Sequence, residues 1–140
     1  MDIVIDANEL FSCIIAKGKR LNSRTLDIFF SDNVKLFAPM KLLKELDKNV
    51  EDIVQKSGFS VYEGTSFIDL LKIRIKFVPF EEFIEEIGDA KRLAPHIKDA
   101  QYFALALHLD AIIWSQEKSF KNQKKIRIME TNELWRFLFD

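Results

Sequence analysis

MDIVIDANEL, residues 1–10, places three β-branched residues, Ile3-Val4-Ile5, directly before an acid, Asp6. The run is apolar throughout instead of alternating, as expected of a strand buried on both faces of a parallel sheet. Such a strand must be followed by a crossover, and Leu10 to Ile15 supplies apolar residues at helical spacing. In open sheets of this kind ligands bind outside the carboxyl ends of the strands, which makes Asp6 the first residue of interest.

The rest of the chain repeats the alternation. A second helix is predicted from about Ser23 to Phe30, and Asp32-Asn33 reads as a turn. Val34 to Ala38 reads as a strand, with Pro39 placed for the first turn of a helix from Met40 to Lys56. Leu42, Leu43, Leu46, Val50, Ile53 and Val54 form its apolar face, and Gly58 ends it. Residues 66–74 read as helix and Ile75 to Val78 as a third strand. Pro79 opens a helix with Phe80, Phe83, Ile84 and Ile87 on one face, closed or bent at Gly88. Pro95 opens the next, with Ala100, Phe103, Ala104 and Leu107 on one face. Ala111 to Trp114 and Ile126 to Met129 are the last strands, and Asn132 is a candidate cap for a final helix. This order predicts an α/β fold of three layers, α/β/α: a mostly parallel five-stranded sheet with helices on both faces, in one domain over residues 1–140.

Composition narrows the function classes. Apolar residues make up 48% and charged residues 31%, enough for one core, and 13 Phe predict that it is rich in aromatic rings. The net charge of −1 leaves no global basic footprint for simple electrostatic binding of nucleic acid. It leaves room for a nuclease whose site is acidic. A single cysteine, Cys13, excludes an internal disulfide and fits a reducing compartment. The N-terminus has no basic region of a signal peptide, and no run approaches the ~20 apolar residues of a membrane span. A cytoplasmic protein is expected. No phosphate-cradling glycine motif is present, and two His without a nucleophile turn give a Ser-His-Asp enzyme little support.

Four acids stand where such a sheet could gather them. Asp6 ends the first strand, and Glu45 lies on the helix after the second. Asp99 stands near the start of the helix that feeds the fourth strand, and Glu117 follows that strand. Clustered carboxylates repel one another unless a cation neutralises them, and hard ions such as Mg2+ and Mn2+ prefer oxygen ligands. Plainer uses compete. Asp6 is also a favoured helix cap. Lys41, Lys44 and Lys48 surround Glu45 at salt-bridging spacing. Asp99 is favoured in a first turn by the helix dipole, and Glu117 is compatible with a surface loop.

These residues resemble the PIN domain family. Its D-x-N is present as Asp6-Ala7-Asn8, its helical glutamate as Glu45 in KLLKELDKN, and its Asp opening an alanine-rich helix as Asp99 in HIKDAQYFALAL. The closing pattern, roughly T-N-D-x-x-F, is similar to Ser115-Gln116-Glu117-Lys118-Ser119-Phe120, with Glu for Asp carrying the charge one methylene further out. The pieces cover almost the whole chain in the family's order.

The resemblance implies a divalent-metal-dependent endoribonuclease using Mg2+ or Mn2+ on an RNA substrate. Asp6 and Asp99 would ligate metal, with Glu45 and Glu117 doing so directly or through water. Asn8 would position Asp6 or a water, and Ser115 would hold the loop or touch substrate. Many small members are the toxin of a toxin–antitoxin pair, so an antitoxin is an implied partner. The alternative is a catalytically weak or inactive PIN-like module that binds RNA or protein, which Glu117 in place of Asp keeps open.

Further features have plain readings. Glu81, Glu82, Glu85 and Glu86 leave the neighbouring apolar residues for the core and read as a solvated face. His96 could add a ligand at H-x-x-D spacing but reads first as a surface or capping residue, and His108 as a helix-dipole partner. Lys17, Lys19, Arg20 and Arg24, and again Lys118, Lys121, Lys124, Lys125 and Arg127, are basic runs that could grip a phosphate backbone or simply be solvated. The tail Leu134 to Phe139 is too apolar for one helix face and suggests a homo-oligomer contact.

Overall fold

A computed structural model describes residues 1–15 and 23–140. Lys17, Lys19 and Arg20 of the first basic run lie outside the described residues. The strands are β1 (Asp2–Ile5), β2 (Lys35–Pro39), β3 (Ile75–Val78), β4 (Ile112–Trp114) and β5 (Ile128–Met129). All pair in parallel in the order β3-β2-β1-β4-β5. The helices are α1 (Ala7–Ile15), α2 (Ser23–Phe29), α3 (Met40–Ser57), α4 (Val61–Arg74), α5 (Phe80–Phe83), α6 (Ile87–Leu93), α7 (Ala100–Leu109) and α8 (Thr131–Phe139).

The sheet grows outward from β1 to β2 and β3, then returns to the other side of β1 for β4 and β5. Right-handed crossovers in opposite directions put their helices on opposite faces, which gives the three-layer α/β/α arrangement. α1, α3 and α4 pack on one another, while α7 packs with α5 and α6 and lies across β1, β2 and β4. Ile3, Val4 and Ile5 are fully buried, as their unbroken apolar run predicts, and Trp114, Phe29, Phe83, Phe103 and Phe120 fill the aromatic core. Among the described residues no helix is long and apolar enough to cross a membrane.

Four local expectations change. The helix after Pro79 is not continuous: Ile84–Glu86 forms a 3-10 turn between α5 and α6, while Gly88 sits inside α6. The tighter winding rotates Ile84 off the buried stripe, leaving it half exposed although Phe83 is buried. Pro95 does not open α7; a 3-10 turn at Ile97–Asp99 precedes it, with the His96 ring accepting from the Lys98 N–H at 3.2 Å. Asn132 does not cap α8. Glu130 is the N-cap, the Glu133 carboxylate reaches back to its N–H at 3.4 Å, and Asn132 accepts from Arg24 instead. In the acidic cluster Glu86 is half buried and pairs with His108 at 3.2 Å, so it does not belong to the solvated face. Gly58 ends α3 in the left-handed region (φ 79°), the conformation for which glycine is suited.

Candidate active site

The reversal of strand order falls between β1 and β4, and their carboxyl ends lie side by side because Ile5 pairs with Trp114. The next residue on each strand is polar and buried: Asp6 is 5% exposed and Ser115 0%. The Ser115 hydroxyl donates to Asp6 Oδ2 at 2.8 Å and accepts from the Glu117 N–H at 3.0 Å. One serine thus orients the first acid and shapes the loop that carries the fourth. The backbone carbonyl of Asp6 takes the first helical bonds of α1, from Glu9 and Leu10. Its carboxyl borders the cavity while held by Ser115 and by the backbone N–H groups of Asn8 and Ala7.

Two adjoining cavities share Asp6, Asn8, Lys98 and Asp99. The first, of about 160 Å³, is completed by Glu45, Lys41 and Tyr102 among others. The second, of about 380 Å³, is completed by His96, Glu117 and Ser119 among others. Asp6, Glu45, Asp99 and Asn8 therefore border one space, and Asp6, Asp99, Glu117 and Asn8 the next. Among the described residues no three His, Cys, Asp or Glu side chains are drawn close enough to enclose an ion together. Glu117 is turned toward its own loop, accepting from the Ser119 hydroxyl at 3.0 Å.

The electrostatics are those of an acidic site short of positive charge. Burial raises the Asp6 carboxyl above its ordinary range; the Ser115 hydrogen bond offsets part of this and the charge of Asp99 adds to it. Burial also raises Asp99, against the pull of Lys98, His96 and Lys41 and with a push from Glu117. Lys41 does not pair with Glu45; it donates to the Lys98 carbonyl at 2.6 Å and lies 5.2 Å from the centre of the Tyr102 ring. The Tyr102 hydroxyl is sealed from solvent without a hydrogen-bond partner, and Glu45, Asp6 and Asp99 add to burial in raising its pKa. This donor set of mutually repelling oxygens fits a hard divalent cation.

Two residues of this region escape a reading of the sequence. Tyr102 stands three residues after Asp99, one helical turn on, which is the only local sign that both face one cavity. Glu9 is 7% exposed beside Asp6. Its signal is periodicity: with Leu10, Cys13 and Ile14 it completes the buried stripe of α1.

A family model for the PIN domain matches residues 4–133. The chain belongs to the PIN domain family. Members of this family are generally nucleases, and PIN nucleases generally use divalent metals. No curated protein matches the sequence. In three dimensions this PIN domain is similar to a chain in the crystal structure of VapBC2 from Rickettsia felis bound to a DNA fragment from their promoter. The TM-score is 0.64 at 17% identity, covering 93% of this chain and 98% of that one, a likeness of fold.

Proposed function

We propose that this PIN domain, a single domain over residues 1–140, is a divalent-metal-dependent endoribonuclease of the cytoplasm, the toxin of a toxin–antitoxin pair. The observation that carries the reading is the Asp6–Ser115 contact at the sheet's switch point, with Glu45, Asp99 and Glu117 bordering the same pair of cavities. The likeness to VapBC2 supports the toxin role.

Asp6 and Asp99 would hold Mg2+ or Mn2+, with Glu45 and Glu117 ligating directly or through water. When bound, such an ion lowers the pKa of a coordinated water and offsets charge on phosphoryl oxygens. Ser115 holds Asp6 Oδ2 and so restrains the orientation of that carboxyl. Lys41 and Lys98 border the same space and place positive charge where a phosphate would approach. Asn8 lines both cavities and can donate from its amide to substrate or water. RNA cleavage with Mn2+ or Mg2+ is expected, and Asp6→Asn and Asp99→Asn should each lower it more than about a hundredfold, beyond the ~10–100-fold range of supporting residues. Ser115→Ala should fall inside that range. Cleavage that survives both acid substitutions would end the mechanism.

A second reading is a PIN-like module that binds RNA or a protein without cutting. The inward turn of Glu117 toward Ser119 favours it. Tight RNA binding without cleavage at any Mn2+ concentration would select that reading.

A further inference from the structure

Beside the acidic site lies a third cavity, of about 330 Å³, which shares Asp6, Asn8 and Glu117 with it. That volume is at the low end of the ~300–1,000 Å³ of small-molecule pockets, suited to one nucleoside-sized group. Leu26 and Cys13 give it an apolar wall, and Ser12, Thr25 and Gln116 supply polar groups. Its distinguishing group is Glu9, more than nine-tenths buried yet on the cavity wall. Among the described residues no basic side chain pairs with it.

The orientation of Glu9 is fixed from behind. Trp114 Nε1 donates to Thr131 Oγ1 at 3.0 Å, so the one hydroxyl proton of Thr131 is directed to Glu9 Oε1, at 2.9 Å. The Thr131 N–H is tied to Gln116 Oε1 at 2.6 Å. A carboxylate has about four acceptor sites; the Thr131 hydroxyl and the backbone N–H of Gln116 engage two and leave two. A buried acid of this kind is matched by a ligand with two adjacent N–H donors.

We infer that this cavity is a nucleobase pocket for a guanine of an RNA strand lying across the acidic site, and that Glu9 selects it by accepting from guanine N1–H and N2–H together. Of the four bases only guanine presents two adjacent donors on its Watson–Crick edge. Adenine and cytosine set one amine beside a ring acceptor, and uracil sets one N–H between two carbonyls, so each points a lone pair at the carboxylate. Single-stranded bases splayed from their stack are read on that edge. The RNA strand rests on the ribonuclease reading above; the preference for guanine does not require cleavage.

Guanosine, adenosine, cytidine and uridine 5′-monophosphates share ribose and phosphate, so a difference among them reads the base. Titrated by NMR into the full chain without metal, the guanosine nucleotide should bind at least about five-fold tighter than the others, the lower bound for a bidentate base contact. Glu9→Gln should erase the preference, while Asp99→Asn should keep it. Ser12→Phe, which fills the cavity from its exposed rim, should abolish binding of all four with an unchanged circular dichroism spectrum. Equal affinity for the four nucleotides, no binding of the guanosine nucleotide, or a preference that survives Glu9→Gln or Ser12→Phe overturns the inference. Guanine selectivity without any RNA cleavage sinks the ribonuclease reading and leaves the pocket. RNA cleavage whose sites share no guanine sinks the pocket alone.

Discussion

Asp6 holds its proton more tightly in the folded chain than in the unfolded one, because burial outweighs the Ser115 hydrogen bond. The sign of the consequence is fixed by linkage. A carboxyl raised above its unfolded value of 3.8 contributes stability that is full below that pH and lost as pH rises through the folded pKa. Asp99 and Glu9 are shifted the same way, so the three acids together make the metal-free fold less stable at neutral pH than their neutral counterparts would. Asp6→Asn should therefore raise the melting temperature at pH 7, with a gain that shrinks toward zero below about pH 3.8. Thermal unfolding at the two pH values checks this, and a variant that melts lower than wild type at neutral pH contradicts it. Tyr102 makes a related case without titration. Its sealed hydroxyl lacks a partner, and such a group costs about 1–3 kcal/mol. Tyr102→Phe should stabilise the metal-free protein by about 1 kcal/mol in urea unfolding.

At the scale of elements, the pair α3 and α4 depends on one small residue. A Cβ at Gly64 would stand 2.6 Å from Val54 Cγ1. The two helices approach closely there only because the side chain is absent. Gly64→Ala should cost about 1–3 kcal/mol by overpacking, read from the denaturation midpoint. Val54→Ala in the same chain should recover part of that loss, and a strictly additive double mutant would show that the two residues are not in contact. The interrupted helix of residues 80–93 teaches a different lesson. Phe80, Phe83, Ile84 and Ile87 have helical spacing, but the 3-10 turn takes Ile84 out of the stripe. The half-buried Glu86, tied to His108 on α7, is held by that turn. At α8, Glu130 and Glu133 form a cap two residues ahead of the Asn132 expectation, and Lys121 braces both acids at 3.4 and 2.6 Å. The apolar tail leaves Phe137 59% and Phe139 44% exposed, with Arg127 5.8 Å from the centre of the Phe137 ring.

For the whole molecule, the sheet order places the carboxyl ends of β1 and β4 together and brings the acids of distant segments to one edge. A cation that binds only the assembled site stabilises the fold by mass action, by about 2.7 kcal/mol at a hundredfold excess over its Kd. Mn2+ should accordingly raise the melting temperature of the wild-type chain. Asp6→Asn and Asp99→Asn should remove most of that rise, even though Asp6→Asn begins from a higher melting temperature in the absence of metal. An equal metal-induced rise in wild type and both variants would place the ion elsewhere.

The amino-acid sequence by itself determined the buried strand Ile3-Val4-Ile5, the alternation of strands and helices, and the resemblance that singles out Asp6, Glu45, Asp99 and Glu117. These are legible because periodicity and residue type act over a turn or two of chain. Only the tertiary structure decided that Ser115 grips Asp6 across 109 residues, and that Thr131 presents Glu9 to a cavity from 122 residues away. It also decided that Tyr102 is sealed beside the acids and that Glu130, not Asn132, begins α8. The reason is physical. A contact between residues distant in sequence exists only once strand order, register and crossover hand are set, and those are chosen by burial of the whole core, not by the residues that meet.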